Sequence, residues 1–164
     1  MIYIAIGSNL PSAAYGLPVA NCRVAIARLQ EAGFTLLARS PFYETAPVPY
    51  SDQPWYVNCV VGVATELTPN AALVACLAVE ESMGRVRSLR NAARIVDIDV
   101  LVWHEFSQNE PDLVIPHPRL HLRAFVLMPL ADIAPDWRHP SLGAGIADLI
   151  AQLPPDQEIR TLKA

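Results

Sequence analysis

Two aspartates, Asp97 and Asp99, occupy alternate positions in the apolar, β-branched segment IVDIDVLVW (residues 95–103). Residues i and i+2 of a strand project to the same face, so the two carboxylates would lie side by side. Carboxylate oxygens suit a hard cation such as Mg²⁺. An isolated D-x-D pattern is more often a solvated strand edge or a turn, so the neighbouring residues have to decide between the interpretations.

Four arginines directly precede the aspartates, since Arg85, Arg87, Arg90 and Arg94 fall within ten residues. Guanidinium groups stay charged and bind phosphate through paired hydrogen bonds. Magnesium in proteins usually takes one or two carboxylates and completes its coordination with water and substrate phosphates. The arginines and aspartates together predict a site for a metal-bound phosphate, with a solvated arginine-rich loop as the alternative.

Further polar residues follow downstream, at His117, Arg119, His121 and Arg123. The two histidines have the i, i+4 spacing of a zinc pair, but no cysteine accompanies them and no glutamate forms an HExxH motif, which disfavours zinc. The chain contains neither GxxxxGK(S/T) nor GxGxxG, so an ATP site would be of another type. We interpret these residues as additional cationic or donor groups.

The elements that must position these residues follow from apolar periodicity and from glycine and proline positions. In chain order they are a strand at YIAIG (3–7), a helix over 18–32, strands over 35–44 and 57–67, a helix over 69–83, a strand over 95–103 and helices over 124–132 and 143–153. A proline-bearing loop covers 45–54. The order strand, helix, strand, strand, helix, strand predicts a ferredoxin-like α+β fold, with helices packed on an antiparallel split βαβ sheet and a C-terminal helical extension.

On the strand over 95–103, alternation predicts that one face carries only apolar residues, namely Val96, Ile98, Val100 and Val102. The other face would carry Asp97 and Asp99 together with Ile95 and Leu101.

Composition restricts the class of protein. The 164 residues predict one domain over 1–164, and 52% hydrophobic with 17% charged residues predicts a folded chain. There is no basic region before the first apolar run, and no run reaches the roughly 18 residues that span a bilayer, so we expect a cytoplasmic protein that is not inserted in a membrane. A net charge of −4 disfavours nucleic-acid binding over the whole surface. Three widely spaced cysteines predict buried, reduced thiols.

The segment GRVRSLRNAARIVDIDVLVW (84–103) strongly resembles the signature of the 6-hydroxymethyl-7,8-dihydropterin pyrophosphokinase family, in which an arginine-bearing loop leads into R-x-x-D-(L/I/V)-D. The resemblance continues in the same order through YIAIGSNL at the N-terminus, FYETAPVPYSDQPWYVN (42–58), VEESMGRVR (79–87) and IPHPRLHLRAFVLMPLADIAP (115–135). It implies transfer of the β,γ-pyrophosphoryl group of ATP to the pterin hydroxymethyl oxygen, with release of AMP, in folate biosynthesis. A monomer is expected.

The resemblance also implies roles for charged residues. Asp97 and Asp99 would hold two Mg²⁺ ions that bridge the ATP phosphates, one of them also contacting the acceptor hydroxyl, while Arg85 and Arg94 would grip the phosphates and the pterin end of the loop. The remaining residues assigned to ATP by similarity are the loop arginines Arg87 and Arg90, the phosphate ligands His117 and Arg123, and Ile98 and Glu80. For Glu80, orienting an arginine and being an exposed helix carboxylate are equal alternatives.

For the pterin, the resemblance implies an aromatic sandwich between Tyr56 and Phe125. Asn58 and the backbone near Thr45 and Val48 would read the hydrogen-bonding edge of the pterin, and Asp97 would also contact it. Taken singly, the two aromatic residues would more often be core residues.

The chain departs from the family pattern in the arginine loop. Ser88 stands where the family often has lysine, RNAAR with Asn91 replaces an end that carries tryptophan, the loop is one residue shorter than in some members, and Pro118 replaces a tyrosine found after the histidine in some. Loss of an aromatic that closes over the substrates would weaken the lid. Asn91 and the shorter loop therefore leave open a weakly catalytic or non-catalytic paralogue that binds pterin or nucleotide. A nucleic-acid-binding module is a second alternative, because ferredoxin-like folds also include RNA-binding proteins.

Overall fold

The fold is built on an antiparallel sheet with helices on both faces. A computed structural model describes residues 1–85 and 92–163. Its strands are β1 (Ile2–Ser8), β2 (Thr35–Arg39), β3 (Tyr43–Thr45), β4 (Tyr56–Ala64), β5 (Asp97–Trp103), β6 (Gln108–Asn109), β7 (Val114–Ile115) and β8 (Ile159–Thr161). Its helices are α1 (Pro18–Glu31), α2 (Pro69–Ser82), α3 (Ala124–Ile133) and α4 (Ile146–Ala151), with a 3₁₀ turn at Leu120–Leu122.

The strand order confirms the predicted ferredoxin-like α+β class. The main sheet runs β5-β1-β4-β3-β8, β2 also pairs with β4, and every pairing is antiparallel. β6 and β7 form a separate two-stranded ribbon. The predicted single strand over 35–44 was wrong, because it is two short strands separated at Pro41, which has no N–H for the ladder.

Two hydrophobic clusters hold the layers together. One cluster lies between the sheet and the helices α1 and α2, where the helical spacing of Cys22, Ile26 and Leu29 buries one face of α1. The other lies between the opposite face of the sheet and the helices α3 and α4, through residues such as Leu127 and Leu149. The sheet is therefore covered on both faces. A cavity for a small molecule would have to open at an edge of the sheet or at strand ends.

A register shift in β5 corrects the predicted alternation. Tyr3 pairs with Val102 while Ile4 pairs with Val100, so Leu101 is an extra residue between the two pairs. As a result Val102 packs in the α3 cluster rather than beside Val100 in the α1–α2 cluster. The shift lies after the aspartates and leaves their alternate spacing unchanged.

The C-terminal region differs from the prediction in two ways. The predicted helix over 143–153 is the shorter α4, and the chain then continues into β8, which pairs with β3 and was not predicted. No helix within residues 1–85 and 92–163 is both long enough and apolar enough to cross a membrane.

Candidate active site

A cavity of about 470 Å³ lies where the end of β1 meets the starts of β4 and β5. Gly7 is central, because it pairs with Asn58 on one side and with Asp97 on the other. All of the predicted site residues that the structure describes line this cavity, namely Thr45, Val48, Tyr56, Asn58, Glu80, Arg85, Arg94, Asp97, Ile98, Asp99, His117, Arg123 and Phe125. Arg87 and Arg90 lie outside the described residues.

Asp97 is the centre of an ionic network at the start of β5. Its Oδ1 accepts hydrogen bonds from Nη1 of Arg94 at 2.8 Å and from Nη1 of Arg85 at 3.1 Å. Both guanidinium groups are about one-fifth exposed, so they are partly desolvated and still reachable from the cavity. A guanidinium group has five N–H donors and uses only some of them on Asp97, so both arginines keep donors for a phosphate.

Glu80, on the last turns of α2, fixes this network from behind. Its side chain is only 2% exposed, so the alternative of an exposed helix carboxylate is wrong. Oε2 lies 2.5 Å from Nη1 of Arg85, and Oε1 accepts a hydrogen bond of 2.7 Å from the N–H of Ile98. Burial raises the pKa of Glu80, while the Ile98 hydrogen bond and the Arg85 charge oppose that rise. The carboxylate ties α2 to both the arginine and the backbone between the aspartates.

Asp99 lies two residues along β5, in the same cavity. Burial, reinforced by the Asp97 carboxylate, raises the pKa of Asp99 to about 7, and the Arg123 charge opposes the rise. Two carboxylates on one face of a strand, in a site where one of them is costly to ionise, match the chemistry of a divalent-cation site. The residues present therefore fit Mg²⁺ held by Asp97 and Asp99.

His117 is a neutral donor beside this network. Its Nδ1 accepts a hydrogen bond of 3.1 Å from the N–H of Arg119, which places the ring proton on Nε2. Burial, followed by the nearby charges of Arg123 and Arg119, lowers the pKa of His117 from 6.5 to about 4. At neutral pH the imidazole is uncharged and can donate a hydrogen bond.

Another part of the cavity wall is made of uncharged groups. Nδ2 of Asn58 donates a 2.6 Å hydrogen bond to Oγ1 of Thr45, and both residues are buried. Tyr56 and Phe125 are partly buried aromatic residues in the cavity wall. A fixed amide and two aromatic side chains in one cavity wall can bind a flat heterocycle through its edge and its faces.

Gly7 allows the strands to approach at this point. A Cβ on residue 7 would lie 2.6 Å from Oδ1 of Asn58, closer than carbon and oxygen atoms approach. A side chain there would displace the amide from its place in the cavity wall. The sequence predicts a strand at YIAIG but gives no sign that its glycine is needed for this close approach.

Asn9 is a residue that the sequence interpretation missed. It is 1% exposed, its Oδ1 accepts from the N–H of Arg94 at 2.9 Å, and its Nδ2 donates to Oε1 of Gln53 and to the carbonyl of Pro54, both at 3.1 Å. It therefore joins the proline-bearing loop to the arginine segment at the end of β1. A polar residue directly after a buried strand was the available signal.

Known proteins share this combination of sequence and fold. The family model described as 7,8-dihydro-6-hydroxymethylpterin-pyrophosphokinase matches residues 3–135. The 2-amino-4-hydroxy-6-hydroxymethyldihydropteridine pyrophosphokinase of Methylorubrum extorquens is 42% identical over 134 residues, which is 82% of each chain. The protein of the same name from Pseudomonas aeruginosa is 41% identical over 153 residues, or 93% of this chain and 91% of the relative.

A solved structure supports the fold independently. A crystal structure of an HPPK-DHPS protein in complex with substrates superposes with a TM-score of 0.70 over 92% of this chain, at 15% identity, and this chain spans 42% of that longer one. At that identity the likeness concerns the fold alone. The family assignment rests on the sequence matches, and by them the chain belongs to the 7,8-dihydro-6-hydroxymethylpterin pyrophosphokinase family.

Proposed function

We propose that this protein transfers the β,γ-pyrophosphoryl group of ATP to the hydroxymethyl oxygen of 6-hydroxymethyl-7,8-dihydropterin, giving AMP and the pterin diphosphate in folate biosynthesis. The observation that carries the proposal is that one cavity joins an ionic network around Asp97 to an uncharged wall around Asn58. A triphosphate with its metal fits the first, and a neutral heterocycle fits the second. The reacting atoms would meet between them, near Gly7.

The ionic network would act mainly by electrostatics. In the transfer, the hydroxymethyl oxygen would lose its proton and form a bond to the β-phosphorus. The bond from the β-phosphorus to the oxygen that bridges the α- and β-phosphates would break, so negative charge would grow on the oxygen that leaves with AMP. Arg85 and Arg94 would stabilise phosphate charge, and they are held for this by Asp97 and Glu80. Two Mg²⁺ ions on Asp97 and Asp99 would neutralise the ATP phosphates and polarise the transferred group.

Residues beyond the aspartates would complete the phosphate site. His117, held neutral with its proton on Nε2, would donate to a phosphate oxygen, and Arg123 would add a charge. Arg87 and Arg90 would close over ATP. Ile98 and Glu80 would shape the floor beneath the nucleotide, where the Glu80 carboxylate receives the Ile98 N–H.

The uncharged wall would select the acceptor. The ring of the pterin would lie between Tyr56 and Phe125, with Asn58 and the backbone near Thr45 and Val48 reading its donor and acceptor edge. Because Nδ2 of Asn58 already donates to Thr45, the amide oxygen would be the group that accepts a hydrogen bond from the ligand. Asp97 would contact the hydroxymethyl end.

The decisive experiment is incubation of the protein with MgATP and 6-hydroxymethyl-7,8-dihydropterin, followed by chromatographic separation of the nucleotides. AMP is expected. ADP would mean ordinary phosphoryl transfer and would contradict the proposal. Tight ligand binding by calorimetry without either product would support the non-catalytic paralogue, which Asn91 and the shorter loop motivate. A monomeric state and a cytoplasmic location stay predictions, and size-exclusion chromatography tests the first.

A further inference from the structure

Gln157 makes two hydrogen bonds to the backbone next to a cavity residue. It lies beyond residues 3–135 of the family match and far along the chain from the proposed active-site residues. Its Oε1 accepts from the N–H of Ala124 at 2.8 Å, and its Nε2 donates to the carbonyl of Leu122 at 2.8 Å. These are the peptide groups on either side of Arg123. One side-chain amide is therefore hydrogen-bonded to the backbone on both sides of a cavity residue.

These two hydrogen bonds form where the backbone needs a partner from outside the helix. Arg123 precedes the first residue of α3 in an extended conformation and makes no side-chain capping bond there. The N–H groups of a first helical turn have no partner inside the helix, and Ala124 carries one of them. An amide side chain offers both a donor and an acceptor, so Gln157 satisfies the helix start and the preceding carbonyl together.

The backbone held by Gln157 carries one charged and one aromatic side chain of the cavity wall. Arg123 and Phe125 flank Ala124, and both line the cavity. The guanidinium carbon of Arg123 lies 5.2 Å from the centroid of the Phe125 ring, so the two side chains also hold each other. A shift of the backbone at Ala124 would move a proposed phosphate ligand and a proposed pterin-stacking ring at once.

The segment that carries Gln157 is itself attached to the facing wall. The carbonyl of Glu158 accepts from the N–H of Ala46 at 3.1 Å, and Ile159 of β8 pairs with Thr45 of β3. Nε of Arg160 lies 2.7 Å from Oε2 of Glu44. Residues 157–160 thus connect the wall that contains Thr45 to the wall that contains Arg123.

We propose that Gln157 is a positioning residue that sets the place of Arg123 and Phe125 relative to the Thr45 wall, and so contributes to the use of both substrates. Gln157 is not among the residues that line the cavity. Its activity readout rests on the proposed pyrophosphoryl transfer, while the geometry that motivates it does not.

The test compares Gln157→Met with Gln152→Met. Both substitutions replace glutamine with a side chain of similar length that has no amide group. Gln152 is exposed at the end of α4 and serves as the control. We expect Gln157→Met to lower kcat/KM for ATP and for the pterin by roughly tenfold, because a small misplacement of a binding group is costly. Gln152→Met should stay within about twofold of the wild type, within the usual range for surface substitutions. Equal kinetics for the two variants would overturn the proposal.

A purely structural role is separated by combining the substitution with Arg123→Ala. If Gln157 acts through Arg123, Gln157→Met should lower kcat/KM for ATP less than about twofold further in that background. A full loss in both backgrounds, or a lower kcat with both KM values unchanged, would mean that only the amount of folded enzyme had changed. Circular dichroism at the assay temperature checks folding. If Gln157→Met unfolds, Gln157→Glu replaces it, since it keeps the acceptor for Ala124.

Failure of the transfer activity would be recognised separately. If the wild type forms no AMP, the proposed function fails, and the same variants are compared by calorimetric binding of α,β-methylene ATP with Mg²⁺. A loss of affinity of roughly tenfold in Gln157→Met but not in Gln152→Met would still support positioning of Arg123. Equal affinities would overturn it.

Discussion

Two parts of the cavity wall, called the charged end and the neutral end, are built in different ways. The charged end, comprising Glu80, Arg85, Arg94, Asp97, Asp99 and His117, is centred on a short stretch of chain in which ion pairs join α2 to the start of β5. The neutral end, comprising Thr45, Tyr56, Asn58 and Phe125, draws on three separate segments and is held by hydrogen bonds and close backbone approach. The first has strong interactions between residues near in sequence, and the second has weak ones between residues far apart.

This difference suggests that the two groups of residues affect different kinetic constants. Charges held before the substrate arrives stabilise charge that develops during transfer, so damage at the charged end should appear mainly in kcat. Uncharged groups that recognise one acceptor bind ground state and transition state alike, so damage at the neutral end should appear mainly in KM. Substitutions at the two ends can break or sharpen this comparison.

The largest effect is expected from Asp97→Asn and Asp99→Asn. Either change removes a carboxylate charge that would hold Mg²⁺, and AMP formation should fall below detection. The fold should persist, because both side chains face the cavity rather than a hydrophobic cluster. Chromatography of the nucleotides and circular dichroism measure the two properties. Asp112→Asn, at an exposed loop position, is the control, and near-wild-type turnover in either cavity variant would refute the metal assignment.

Arg94→Ala comes next, with an expected loss in kcat on the order of 10³-fold, as for arginines that stabilise phosphoryl-transfer transition states. Its guanidinium donates to Asp97 at 2.8 Å, so it is already placed at the proposed phosphate site. Steady-state kinetics at saturating MgATP measure the loss. Arg138→Ala is a matched control, since that exposed arginine donates to the carbonyl of Gly143 away from the cavity. A mild effect would reduce Arg94 to a loop-shaping role through its bond to Ala92.

At the neutral end, Gly7→Ala should raise KM for the pterin by roughly 10- to 100-fold, the scale of one disrupted buried hydrogen-bonding group. The new Cβ would lie 2.6 Å from Oδ1 of Asn58 and would force the amide away from Thr45. Gly62→Ala is the matched control, because a Cβ at that strand glycine meets nothing closer than 3.5 Å. An unchanged pterin KM in Gly7→Ala would remove Asn58 from the proposed acceptor site.

The sequence made the charged end easier to predict than the neutral end. The D-x-D spacing and the arginines are adjacent in the chain, so elementary coordination chemistry gave a metal-phosphate site before any resemblance was used. What it could not give was the pairing of Asp97 with both Arg85 and Arg94, or the buried position of Glu80, because these depend on how α2 meets β5. Residue types near in sequence predict a chemistry, while the partners depend on tertiary packing.

Long-range features escaped prediction for physical reasons. Asn9 and Gln157 contact segments more than 30 residues away, and a single polar residue carries no periodic signal of such a contact. The strand β8 has three residues, too few to show alternation. The register shift at Leu101 was hidden because that part of β5 is apolar on both faces. The ferredoxin-like order, in contrast, followed from strong helix and strand periodicities.

The smallest expected effect concerns His117, whose pKa is lowered first by burial and then by two neighbouring arginines. Burial and the charges of Arg123 and Arg119 lower its pKa from 6.5 to about 4, so between these values the unfolded chain binds a proton that the folded chain does not. Its contribution to stability is therefore present above about pH 6.5 and is lost as the pH falls toward 4. Urea unfolding should show that the wild type loses about 1 kcal/mol more than His117→Asn between pH 7 and pH 5, after allowance for partial exposure. The two proteins should lose equally between pH 8 and pH 7, which is the control. Equal losses down to pH 5 would mean that burial and the cations do not lower the pKa of this imidazole.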